Sequence, residues 1–230
     1  MSATMLLPVS SARRVRRLGA WCLGGGLLGA AEGVITLAWP HQVTEERFRY
    51  PFDAFWFVIA ELSYAVQHLL LVAGGVALLR LPVVSASRAA RIATRVAVTG
   101  LVLLVVAELS ALALYDAALD STVATVIATS FMLPVLLIGV GFTVAGVALI
   151  RQGAAGRAGV RWLPAAVLAP GVYVFTLFIP LINQSDFIAR LGIGGWMLSF
   201  AVLGYALTQL EDHGGEPAMT RRAALLSEEA

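Results

Sequence analysis

Six apolar runs, each long enough to cross a bilayer as a helix, decide what this chain can be. They cover residues 18–39, 54–79, 96–115, 123–150, 162–182 and 191–210. A helix spans the hydrocarbon core with about 20 apolar residues, and each run meets that length. Composition agrees, since only 13% of the residues are charged. A soluble domain carries about a quarter, because a water-facing surface needs charge. The expected fold is all-α: a polytopic membrane bundle of six transmembrane helices. Pro134 in the fourth run and Pro164, Pro170 and Pro180 in the fifth each remove a backbone donor, so both helices should kink.

The basic residues set the orientation. All of them are arginine. Arg13, Arg14, Arg16 and Arg17 precede the first helix, and Arg80, Arg88, Arg91 and Arg95 lie between the second and third. Arg151, Arg157 and Arg161 lie between the fourth and fifth, and Arg221 and Arg222 lie in the tail. These fall on one side of a six-helix chain, leaving Arg47, Arg49 and Arg190 on the other. Basic loops stay in the cytoplasm. The expected organisation is a basic cytoplasmic N-terminus (1–17), a transmembrane domain (18–210) and a cytoplasmic tail (211–230), in the inner (plasma) membrane. The arginines are thereby accounted for by a lipid bilayer, and no nucleic-acid partner is implied. The opening "RRVRRLGAWCLGGGLLGAAEG" resembles a signal peptide, but its apolar run continues to Trp39, so an uncleaved first helix is expected. A lone cysteine, Cys22, excludes an intramolecular disulfide.

The strings "VAGGVALLR" (72–80), "TVAGVALIR" (143–151) and "VLGYALTQ" (202–209) recur at equivalent ends of the even-numbered helices. Such a recurrence suggests three related helical hairpins with both termini in the cytoplasm. With "PHQ" after the first helix, "QHLLLVAGGVALLR" and "VALIRQGAAGRAGVRWLPAAVLAPG", the chain resembles six-helix bacterial membrane proteins catalogued as domains of unknown function. That resemblance implies the fold and a membrane location; it carries no catalytic residues with it.

Three carboxylates interrupt the apolar runs at matched depth. Glu32 lies seven residues before Trp39, Glu61 seven after Ala54, and Glu108 seven before Tyr115. At about 1.5 Å per residue, each sits roughly 10 Å below the outer surface. His68 lies seven residues further along the second helix, about 10 Å deeper and nearly on the face of Glu61. Tyr64, three residues from Glu61, and Tyr115, seven from Glu108, are within reach of the same layer. Gly25, Gly29 and Gly33 form a small-residue ridge beside Glu32, which lets helices approach closely. No arginine is expected at this depth, so the carboxyls must carry protons, share them or meet a cation. A protonated Glu is also simple interhelical glue, worth about 1 kcal/mol. For three at one depth the cost argues for function, because an intramembrane charge costs on the order of 3 kcal/mol against a folding stability of about 5–15 kcal/mol.

The remaining groups point elsewhere or nowhere. His41, Glu45 and Glu46 read as a solvated loop rather than a metal site. Trp39, Phe55, Trp56 and Tyr115 suit an interfacial aromatic belt. A retinal protein needs a Schiff-base lysine and a membrane haem needs a second intramembrane histidine; neither is present, and no cofactor is expected. Three functions stay open. The leading one is proton-linked binding or transport of a cation or small basic solute at Glu32, Glu61, Glu108 and His68, with Tyr64 and Tyr115. The second is a membrane enzyme using Glu61 or Glu108 as acid on an isoprenoid or lipid, with Tyr64, Trp56 and Trp196 as walls. The third is an accessory role, in which the polar layer docks a partner helix or a second copy.

Overall fold

Polar caps start the helices of the computed structural model, which describes residues 9–154, 160–182 and 184–210. Helix α1 spans Val9–Ala38, α2 Ala54–Leu79, α3 Pro82–Ser85 and α4 Arg88–Ala111, the last continuing as a 3-10 turn, Leu112–Leu114. Then follow α5 (Thr122–Ser130), α6 (Met132–Arg151), α7 (Leu163–Tyr173), a π turn (Val174–Phe178), α8 (Ile179–Ile182) and α9 (Asp186–Thr208). Asp53, Ser87, Ser121 and Ser185 accept a backbone N–H at the starts of α2, α4, α5 and α9. Each cap satisfies a donor that the helix cannot pair internally. These caps carry α4 and α9 back beyond their apolar runs, to Arg88 and Asp186. Helix α1 likewise begins at Val9, well before residue 18, because Ala12 and Val15 continue its buried stripe through the arginines.

Six stretches are long and apolar enough to cross a membrane: Ser10–Ala38, Ala54–Leu79, Arg88–Leu114, Thr122–Arg151, Leu163–Ile182 and Phe187–Thr208. The chain is therefore a multipass membrane protein in lipid contact. The fourth and fifth spans are broken near prolines. Span four stops at Ser130 and restarts at Met132. Pro134, in the first turn of α6, cannot donate to the Ser130 carbonyl one turn back. In span five, Pro170 lies inside α7 and Pro180 follows the π turn. Trp196 Nε1 reaches across from α9 to donate to the Pro170 carbonyl at 3.0 Å, so a neighbouring helix braces the break.

The spans close into a ring. α1 packs on α2, α2 on α4, α4 on α6, α6 on α7, α7 on α9, and α9 returns to α1. The last seam is tight because glycines line it: a Cβ on Gly26 would overlap the Ala201 backbone, and one on Gly204 would overlap Leu23. Towards the arginine-rich end the ring is filled by Leu71, Leu101, Ile138, Phe142, Phe200 and Leu203, all buried, with the Phe142 and Phe200 rings edge to face at 5.5 Å. At the opposite end α5 packs sparsely on α4 and α6, and Ala124 is its one buried residue. That end is shaped instead by the 39–53 loop. Phe48 N–H bonds the Ala117 carbonyl and Leu119 N–H bonds the Glu46 carbonyl. Arg47 and Arg49 both reach Asp116, at 3.3 and 3.5 Å.

Candidate functional site

Where the ring is not filled, a cavity of about 490 Å³ opens among the helices. Its polar groups come from four of them: Glu32 from α1, Glu61, Tyr64, Gln67 and His68 from α2, Glu108 from α4, and Arg190 from α9. Phe131, Phe178, Trp196 and Met197 supply much of the apolar wall, and the Phe178 and Trp196 rings pack at 4.8 Å. Glu61 and His68 are buried, with Glu108 at the margin of burial. Glu61 and Glu108 line the same cavity from neighbouring helices. Buried carboxyl groups gathered in one space favour a proton on one of them. His68 Nδ1 lies 3.4 Å from Glu108 Oε1 without the alignment of a hydrogen bond.

Several polar atoms are left without a hydrogen bond. Glu32 Oε1 takes the hydroxyl proton of Ser63, yet Glu32 Oε2, Glu61 Oε2 and His68 Nδ1 are sealed from solvent with no hydrogen-bond partner. An unpaired buried polar atom costs about 1–3 kcal/mol. Gln67, by contrast, is committed: its amide donates to Met197 Sδ at 2.6 Å. That contact passes over Gly29, where a Cβ would collide with the Gln67 amide. The glycine ridge on α1 therefore brings α1, α2 and α9 together beneath the carboxylates.

Counting residues separates His68 from the carboxylates by about two turns, yet its ring stands beside Glu108. Side chains lean towards the N-terminus of their own helix. α2 and α4 are antiparallel neighbours across a short connection, so His68 leans up towards the carboxylates while Glu108 leans down. The two meet between their backbone levels.

Two expectations are overturned. Tyr115 does not join the site: it is 52% exposed, and its carbonyl accepts from Arg49 at 2.6 Å. The 3-10 turn after Ala111 advances each residue further round the axis than an α-helix does, which rotates Tyr115 off the face of Glu108. Secondly, an arginine does share the cavity. Arg190 lies before the last apolar run, but the Ser185 cap starts α9 early enough to place it in the second turn, on the cavity wall. Of the walls named for an enzyme, Tyr64 and Trp196 line the cavity, whereas Trp56 does not. Gln67 was legible as a polar residue beside His68; nothing in the sequence pointed to Phe178 or Met197.

A smaller groove, about 150 Å³, lies on the other side of Glu32, between α1 and α2. Trp39, Phe52, Trp56 and Ile59 line it, and Glu32 and Tyr64 are common to groove and cavity. Among the described residues no three His, Cys, Asp or Glu side chains are gathered closely enough to hold a metal ion. In the 39–53 loop, His41 instead hydrogen-bonds the Tyr50 hydroxyl at 2.9 Å. Comparisons with family models, curated proteins and solved structures returned no match.

Proposed function

We propose that this protein binds an organic cation in its carboxylate-lined cavity in exchange for a proton, and transports it when the packed half of the ring opens. On this reading the arginine-rich loops and both termini are cytoplasmic, and the cavity is entered from the outer side. The observation that carries it is the gathering of three carboxyl groups, Glu32, Glu61 and Glu108, with His68 around one cavity. A volume of about 490 Å³ far exceeds a bare metal ion and suits a small organic solute. The Phe178 and Trp196 faces add a wall that attracts a cation through the ring quadrupole. Exchange is economical because the ligand's charge takes the place of a proton held among Glu32, Glu61 and Glu108.

The test uses tetramethylammonium, whose charge does not change with pH, so any pH dependence belongs to the protein. Purified protein in nanodiscs is titrated calorimetrically at several pH values and in two buffers of different ionisation enthalpy. Exchange for one proton tightens the apparent Kd by about tenfold per pH unit while the site is protonated, and the heat differs between buffers. An isotherm unchanged by pH and buffer overturns the proposal.

A second reading has one observation of its own: Glu61 and Glu108 share a cavity with the Phe178–Trp196 aromatic pair. In an enzyme, one of the two carboxyls would protonate an isoprenoid alkene, and the rings would stabilise the carbocation. Loss of the final proton back to the carboxylate would restore the acid. Formation of a cyclised product from a prenyl alcohol or lipid by purified protein, abolished by Glu61→Gln, would favour this reading over transport.

A further inference from the structure

The groove between α1 and α2 bears on which cation the cavity takes. Its lining is apolar and aromatic, with Trp39 packed against Phe52 at 5.4 Å and against Trp56 at 5.2 Å. It opens on the outside of the ring, where Ile35, Trp56 and Ile59 are exposed. In a membrane that surface meets lipid rather than water. Between groove and cavity, side chains bridge the two helices. Ser63 donates to Glu32, and the Tyr64 hydroxyl lies 3.2 Å from Thr36 Oγ1. These two side-chain contacts tie α1 to α2 at the partition.

Building on the proton-exchange reading above, we infer that the ligand is amphiphilic: a single-chain amine that enters sideways from the bilayer between α1 and α2. Its ammonium group sits at Glu32, which faces both spaces, and its chain lies in the Trp39–Phe52–Trp56 groove. The charge fits because Glu32 is the acidic group lining the groove. The size fits one chain, since the groove has about a third of the cavity's volume. Entry parts the Ser63–Glu32 and Tyr64–Thr36 contacts, and the incoming ammonium compensates Glu32 for the hydroxyl it loses.

Two probes separate this inference from the reading it rests on. Tetramethylammonium and hexyltrimethylammonium carry the same charge, and only the second has a chain for the groove. Binding is measured in phosphatidylglycerol nanodiscs, which contribute no amine headgroup. Ala60→Phe fills the groove from a position outside the cavity. It should weaken the hexyl probe by on the order of tenfold, the loss of a few buried methylenes, and leave tetramethylammonium unchanged. Thr36→Val removes one bridging contact without adding bulk, and should speed association of the hexyl probe several-fold while leaving its equilibrium charge dependence intact. If tetramethylammonium binds with proton release but Ala60→Phe spares the hexyl probe, or Thr36→Val leaves its association rate unchanged, lateral entry is overturned and the cation site stands. If Ala60→Phe fails to fold, the Thr36→Val rate decides alone. Failure of wild-type protein to bind either probe removes both.

Discussion

At the scale of single residues, the cavity holds groups that a purely structural core would not leave as they are. Glu61 Oε2 is buried without a hydrogen bond, and His68 Nδ1 meets the Glu108 carboxyl at 3.4 Å without hydrogen-bond alignment; each such atom subtracts from stability. If they serve a ligand, removing the charge should cost the fold nothing. The Glu32→Gln, Glu61→Gln, Glu108→Gln triple variant is expected to unfold at the wild-type temperature or above it, measured in detergent at neutral pH. It should also lose the upward shift that tetramethylammonium produces in wild type, which follows from selective binding to the folded state. A fall of many degrees would make the carboxyls interhelical glue. His68 differs from them in what the sequence says about it. A lone intramembrane histidine reads most simply as a satisfied core residue, and only its position 3.4 Å from Glu108 ties it to the acidic group.

At the scale of helices, the α1–α9 seam is what closes the ring, and glycine makes it. Two neighbouring glycines on α1 separate packing from helix propensity. A Cβ on Gly26 would meet the Ala201 and Met197 backbone, whereas one on Gly24 would meet nothing within 4 Å. Gly26→Val should therefore destabilise by about 1–3 kcal/mol or more through overpacking against backbone. Gly24→Ala should be neutral or stabilise by about 0.5–1 kcal/mol, because alanine loses less entropy in a helix. Unfolding in a detergent titration reads both, and equal effects would mean that the seam is not closely packed. The two broken spans work in the opposite sense. Pro134 and the π turn after Pro170 interrupt spans four and five at the level of Phe131 and Phe178. Both phenylalanines line the cavity, so the breaks open the space that the glycines elsewhere eliminate.

At the scale of the whole molecule, the ring is asymmetric: solid towards the arginines and hollow towards the 39–53 loop. The proposed orientation makes the hollow end external, and it can be checked with single cysteines. Cys22 is fully buried, so it contributes little background labelling. Glu45→Cys, in the long loop, should react with a membrane-impermeant maleimide in intact cells. Ser85→Cys, among the arginines, should react only after the membrane is permeabilised. Both positions are exposed, so accessibility rather than burial decides the result. The reverse pattern would invert the topology and move cavity entry to the cytoplasmic side.

The number of spans and the breaks near the prolines were determined by the sequence alone; the sequence also predicted one depth for Glu32, Glu61 and Glu108, and all three line the cavity. Each depends on counting along a helix of known rise and hydrophobic length, which is local physics. Helix starts were less legible, because a capping serine adds turns that hydropathy does not register; Arg190 entered the cavity that way. The meeting of His68 with Glu108, the displacement of Tyr115 and the groove behind Glu32 were decided only by tertiary structure. They depend on which faces of neighbouring helices turn towards each other and how closely glycines let them approach. Depth is a coordinate along one helix, but a site is a set of angles between several.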